Sequence, residues 1–88
     1  MNGRALLAWN VRKIRTSQGL SQEKLAADAG VDRAYLGGIE REQENPSIDT
    51  LDKIAAALSV RVGSLLAEPR SGEKPPRPLP AGRRSTLG

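Results

Sequence analysis

Two short helical segments joined by only three residues, Ala29-Gly30-Val31, constrain the fold of this 88-residue chain more than any other feature. Ser21 is a favourable N-cap for the segment before this link, and Asp32 is one for the segment after it. A link this short does not allow the two helices to run antiparallel. Gly30 can adopt the left-handed conformation that a sharp helix stop requires. The sequence therefore predicts two short helices that cross steeply with their backbones close together.

Apolar residues at helical spacing flank this pair on both sides. Leu7, Val11 and Ile14 predict a first helix from about residue 4 to residue 18, closed by Gly19. After Asn45-Pro46 breaks the chain, Ser47 caps a further helix. The residues that repeat at helical spacing in this helix are Ile48, Leu51, Ile54, Ala55 and Leu58.

A last short helix is expected over about residues 61–67, where it brings Leu65 and Leu66 onto the core. Five helices and no strand predict an all-α fold, with one compact domain over residues 3–68. Composition changes near Pro69, since residues 69–88 contain five of the six prolines and only three apolar residues. We expect this Pro-rich basic tail to be disordered.

The net charge of +4 lies entirely in the tail, which has five basic residues and one acidic residue, whereas residues 1–68 are neutral. Within the predicted domain, residues 1–33 have an excess of basic residues and residues 34–68 an excess of acidic ones. Net charge alone is therefore weak support for nucleic-acid binding. The polarity of the domain nevertheless suits a molecule that meets phosphate at one end.

Several classes of function are disfavoured by what the chain lacks. It contains no cysteine and no histidine, which removes disulfides, thiolate chemistry, and the commonest metal ligand and general base. We therefore expect no enzymatic activity, no metal and no cofactor. No unbroken apolar run exceeds five residues, so we expect no membrane association and a cytoplasmic location.

The stretch from Gln22 to Arg41 has the features of a helix-turn-helix. Ala26 permits close approach of the two helices, Gly30 makes the turn, and four apolar residues seal the joint: Leu25, Val31, Leu36 and Ile39. The second helix then projects from the body, able to enter the major groove of DNA, which is wide enough for one helix.

These residues carry a family resemblance as well. Gly19-Leu20-Ser21-Gln22-Glu23-Lys24-Leu25-Ala26, Gly30-Val31, Ile39-Glu40-Arg41 and Asn45-Pro46-Ser47 resemble the Xre-type helix-turn-helix family, with the lambda-repressor-like fold of Cro and the phage repressors. The resemblance covers about residues 7–66. Asp32-Arg33-Ala34-Tyr35-Leu36 is most similar to the small controller proteins of restriction–modification systems.

The resemblance implies a set of contacts with DNA. Gln22 would bond a phosphate at the start of the second helix, Arg33 would read a base edge, and Ala34 would touch a thymine methyl group. Gly37 and Gly38 offer no reading side chain but permit close approach. The remaining phosphate contacts implied are Tyr35, Arg41, Gln43 and Asn45. Asp32 is included as a second possible reader, of cytosine, although its role as an N-cap is favoured.

Three further assignments concern the stability of the fold and contact with a second copy: the resemblance implies the first and the third, and helical spacing gives the second. Arg15 and Glu40 would form a structural ion pair. Trp9 points away from the main core, so it either packs on the chain end or contacts a second copy. Leu65 and Leu66 belong to the core or to a dimer interface, with at least one expected at the interface.

Glu42 stands where the family usually has glycine, in a left-handed conformation that strains a non-glycine residue by roughly 1 kcal/mol.

The favoured interpretation of the sequence is a regulator that binds double-stranded DNA as a homodimer on an inverted repeat. Two alternatives stay open: an antitoxin-like protein that also holds a toxin, and a protein-interaction module that has lost DNA binding.

Overall fold

The computed structural model describes residues 1–70, which form four α-helices and one short 3-10 helix. The elements in chain order are α1 (Gly3–Ser17), α2 (Gln22–Ala29), α3 (Arg33–Glu40), α4 (Ile48–Leu58) and the 3-10 helix (Val62–Leu66). The predicted all-α fold is confirmed for this part of the chain. The fifth predicted helix is five residues long and has no side-chain cap, so it forms a 3-10 helix instead. The disorder predicted for residues 69–88 falls almost wholly on residues 71–88, which lie outside the described residues.

Each α-helix begins at a residue whose side-chain oxygen accepts a hydrogen bond from the backbone N–H three residues later. Ser21 accepts from Lys24 at 3.0 Å, and Ser47 accepts from Thr50 at 3.1 Å. Asp32 accepts from the N–H of Tyr35 at 3.2 Å. These three caps were predicted, whereas Asn2, which caps α1, was not. The starts of α2 and α3, where DNA contacts are expected, are thereby fixed by local hydrogen bonds.

A residue with positive φ follows each of the four α-helices of residues 1–70: Gly19, Gly30, Glu42 and Ser59. Gly30 has φ of 71° and its N–H bonds back to α2, as predicted. Glu42 has φ of 63°, which confirms the unusual conformation expected there. The N–H of Gln43 bonds to the carbonyl of Gly38 at 2.8 Å, so α3 closes normally although glycine is absent at position 42. Ser59, with φ of 59°, is a second strained position that the sequence did not reveal.

Twelve buried apolar residues from all five elements make one core. They are Leu7, Val11, Leu25, Ala26, Ala29, Leu36, Ile39, Leu51, Ile54, Ala55, Leu58 and Leu65. Ile48 departs from the predicted pattern, since it lies at the first position of α4 and is 65% exposed. Within residues 1–70, none of the helices has both the length and the apolar character needed to cross a bilayer.

Candidate nucleic-acid interface

The helices α2 and α3 meet as the sequence predicts. Ala26 is only 2% exposed, which shows how closely packed the joint is. Leu36 and Ile39 fix the inner face of α3 in the core, while Arg33 and Ala34 at its start are exposed. The first turn of α3 therefore projects from the body of the domain with an arginine at its leading end.

A buried ion pair anchors the far end of α3. The guanidinium of Arg15 donates from Nε to Oε2 of Glu40 at 2.7 Å and from Nη2 to Oε1 at 2.9 Å. Its remaining nitrogen, Nη1, donates to the carbonyl of Leu20 at 2.8 Å. The structure thus contains the Arg15–Glu40 pair that the family resemblance implies, and the pair ties α1 to the last residue of α3.

Two more side chains converge on the same carboxylate. The amide of Gln22, the first residue of α2, donates to Oε1 of Glu40 at 3.1 Å. Arg12 approaches from α1, with Nε 3.4 Å from Oε1 and Nη2 3.3 Å from the backbone carbonyl of Glu40. The start of α2 and the end of α3 are therefore held at a fixed separation by one buried carboxylate.

The pKa of the Glu40 carboxyl is set by opposing effects. Burial raises the pKa, but hydrogen bonds from Arg15 and Gln22 and the positive charges of Arg15 and Arg12 outweigh it. The net result is a pKa below the ordinary value of 4.5. Glu40 therefore stays ionised, and keeps its cationic partners in place, throughout the neutral pH range.

An open hollow of about 460 Å³ lies at the start of α2, lined by Arg15, Ser21, Gln22, Glu23 and Arg33. Arg15 already pairs with Glu40, so the hollow places Arg33, from α3, beside the end of a helix at which backbone N–H groups lack helical partners. Such an end attracts anions. Glu23 adds one negative charge to the lining. The hollow thus joins Gln22, assigned to phosphate, with Arg33, assigned to a base edge.

Comparison with known proteins agrees with this geometry. The family described as Helix-turn-helix matches residues 11–65, which span α2, α3 and most of the core. This chain belongs to the helix-turn-helix family of DNA-binding transcription regulators. Its family resemblance to Xre-type and Cro-like proteins is thereby confirmed.

The relatives include both general regulators and controller proteins. A hypothetical transcription factor from Neisseria meningitidis is 43% identical over 76% of this chain. The match spans 63% of that protein's length. A solved structure of a hypothetical transcription factor from Neisseria is 43% identical and superposes with a TM-score of 0.75 over 77% of this chain and 78% of the solved chain.

Two control proteins have nearly the same sequence identity to this chain. Control protein C.SmaI from Serratia marcescens is 42% identical, and the match covers 75% of this chain and 79% of that protein. The solved controller protein C.AhdI from Aeromonas hydrophila is 42% identical with a TM-score of 0.69, covering 70% of this chain and 94% of the other. The predicted likeness to controller proteins is confirmed.

The outer face of α3 in this helix-turn-helix protein differs from expectation. Gly37 and Gly38 do not leave it bare, since both are buried beneath side chains of the following loop. A Cβ placed at Gly37 would lie 3.0 Å from Nη1 of Arg41, and one at Gly38 would lie 2.7 Å from Cγ of Glu44. The glycines provide space for two charged side chains, which the sequence pattern did not indicate.

The other residues assigned to phosphate contact lie around this face. Arg41, Gln43 and Asn45 are exposed on the loop after α3, and Nε of Arg41 donates to Oε1 of Gln43 at 3.1 Å. Tyr35 is half-buried and packs against the core. Asp32 is exposed, but its Oδ2 accepts the hydrogen bond from Tyr35 N–H that caps α3. The structure therefore groups all the assigned residues around α3 and its two ends.

The residues assigned to a dimer interface separate into three situations. Leu65 is fully buried in the core, one of the two positions that the sequence left open for it, so its side chain offers no surface to a second copy. Leu66 is 40% exposed and borders a hollow of about 420 Å³ with Leu7, Pro46 and Leu51. Trp9 is half-buried outside the core and lines a different hollow, beside Arg12. Of these three assigned residues, Leu66 and Trp9 are the two whose side chains have exposed surface with which a second copy could make contact.

Proposed function

We propose that this chain is a sequence-specific regulator that binds double-stranded DNA as a homodimer on an inverted repeat. The observation that carries the proposal is the exposed start of α3, with Arg33 facing the hollow at the start of α2. A helix presented in this way fits the major groove, and the hollow fits the phosphates at its edge. The family membership supports the same conclusion.

Each residue has a role that its position permits. Arg33 reads guanine through a bidentate contact worth about 1–3 kcal/mol of discrimination. Gln22 holds a phosphate, and because its amide also bonds Glu40, the phosphate contact is coupled to the orientation of α3. Arg41, Gln43 and Asn45 supply further phosphate contacts from the loop, and Ala34 meets a thymine methyl group.

A homodimer would place two copies of α3 in successive major grooves, about 34 Å apart. Leu66 supports this part of the proposal, since it is an exposed leucine at the edge of a hollow that contains Leu7, Pro46 and Leu51. Polar residues also line the hollow: Asn2, Arg4 and Asn45. The proposal makes the protein a non-enzymatic cytoplasmic regulator. The relatives above are named as control proteins and transcription factors, so they do not favour an antitoxin-like role.

The test is selection of binding sites from random duplex DNA by the 88-residue chain, followed by titration with salt. We expect a short palindrome and an affinity that falls steeply with salt, since each neutralised phosphate adds about 0.9 to the slope. Arg33→Ala should relax the preference at one base pair in each half-site. Lys53→Ala, on the exposed side of α4, removes the same charge and should not. No enriched sequence and no salt dependence would instead support an interaction module that does not bind DNA.

A further inference from the structure

The outer face of α3 is defined by its own core residues. Leu36 and Ile39 are at most 1% exposed and mark the inner side of the helix. At 100° per residue, the opposite side is centred on Ala34 and flanked by Gly37 and Gly38. This face would meet the bases if α3 enters the major groove. Of the three residues that form it, Ala34 alone has a side chain, which is a methyl group.

The loop after α3 supplies the missing side chains. The carboxylate of Glu44 lies directly on Gly38, since a Cβ at that position would be 2.7 Å from Glu44 Cγ and 2.9 Å from Oε2. The loop is held in this place by the hydrogen bond from Gln43 N–H to the Gly38 carbonyl. Glu44 thus occupies the space that a side chain at position 38 would fill.

A carboxylate on this face has few compatible partners on DNA. It accepts hydrogen bonds only, and it is repelled by phosphates. Guanine and thymine present acceptors at their major-groove edges. Adenine presents an amino group at N6, but beside it lies the acceptor N7, which suits an amide and not a carboxylate. Cytosine presents the N4 amino group, with which glutamate pairs. A base edge that carries a donor is therefore the partner that Glu44 can satisfy.

We propose that Glu44 is a specificity-determining residue that reads a cytosine amino group from the loop, across the surface left open by Gly38. The inference rests on the proposed function, because it requires α3 to lie in the major groove. It adds a second reader to Arg33, which lies at the start of α3, about 100° around the helix from Ala34. Gly38 is then required because any larger residue would displace the carboxylate.

The experiment measures affinity for the selected operator and for every single-base change in one half-site. Glu44→Ala should abolish the preference for cytosine at one position, by at least about fivefold, the lower end for one good base contact. Other positions should be unchanged. Gly38→Ala retains the charge of Glu44 but forces its side chain away, so the preference for cytosine at the same base pair should be lost. Alanine favours the helix more than glycine does, so the variant should still fold.

Asp52→Asn is the matched control, since it removes one negative charge from an exposed position on α4. It should leave every base preference intact. If Glu44→Ala strengthens binding to all sequences equally, with preferences unchanged, Glu44 is merely repulsive and the inference fails. If the wild-type chain selects no operator at all, the proposed function itself fails, and the two failures are thereby distinguished.

Discussion

Arg15 and Glu40 form a bidentate ion pair in which both nitrogen–oxygen distances are below 3 Å and both side chains are almost fully buried. The pair joins the last turn of α1 to the last residue of α3, the helix proposed to enter DNA. Gln22 bonds the same carboxylate, so the proposed phosphate contact and the proposed reading helix share one anchor. The rigidity of the interface and the stability of the fold therefore depend on the same group.

Removing Arg15 should be severely destabilising. Arg15→Met retains much of the apolar stem but leaves Glu40 buried without its main partner, for which a loss of about 3–5 kcal/mol is typical. Denaturant unfolding followed by circular dichroism measures this loss. Arg12→Met is the matched control: the Arg12 side chain is 41% exposed and 3.4 Å from Glu40, so about 1 kcal/mol or less is expected. Equal losses for the two variants would show that burial does not determine the strength of these pairs.

The pH dependence of stability follows from the same group. Because the folded state lowers the pKa of Glu40 below 4.5, the unfolded chain takes up a proton first as the pH falls. The contribution of Glu40 is therefore fully present above pH 4.5 and is lost as the pH falls through the folded pKa. The thermal midpoint of the wild type should fall more steeply below pH 4.5 than that of Glu40→Gln. Parallel curves for the two proteins would exclude Glu40 as the source of the acid sensitivity.

Asn10 shows why part of the fold was not predictable from the sequence. It lies among the apolar residues of α1, and its amide donates to the carbonyls of Leu6, Leu65 and Ala67 at 2.8–3.2 Å. Two of those carbonyls lie more than 50 residues away, so no local pattern reveals them. The caps and Gly30 were predictable because each acts within a few residues. The covering of Gly37 and Gly38 by loop side chains depends on the path of the loop and was likewise missed.

Asn10→Ala should destabilise the fold by about 1–3 kcal/mol, because it leaves buried carbonyls without a donor. Asn10→Asp is the matched variant with almost the same shape. It should cost more, since an ionised carboxylate cannot donate and faces three carbonyl oxygens. Urea unfolding at neutral pH measures both losses. A change below about 0.5 kcal/mol for Asn10→Ala would mean that water satisfies these carbonyls equally well.

Glycine should stabilise the two strained positions. Glu42 and Ser59 both have positive φ, which costs a non-glycine residue roughly 1 kcal/mol. Glu42→Gly and Ser59→Gly should each raise the free energy of unfolding, by up to about 1 kcal/mol after the greater freedom of glycine in the unfolded chain is counted. Ala56→Gly, at an exposed position within α4, is the opposite control and should destabilise by about 1 kcal/mol. If Glu42→Gly is destabilising, Glu42 makes a favourable contact that outweighs its strain.

Leu66 tests the proposed homodimer. Its exposed side chain borders the hollow formed with Leu7, Pro46 and Leu51, and a charge placed there would be buried on association. Leu66→Glu should therefore convert a dimer into a monomer in sedimentation equilibrium, with an unchanged circular dichroism spectrum because the side chain is outside the core. Val62→Glu, at an exposed position on the same 3-10 helix, is the comparison variant for a charge that does not enter this hollow.

Trp9 is the single tryptophan of the chain, so its fluorescence reports on the hollow that it lines beside Arg12. If Leu66→Glu remains dimeric while Trp9 emission changes on dilution, the interface lies at Trp9 instead.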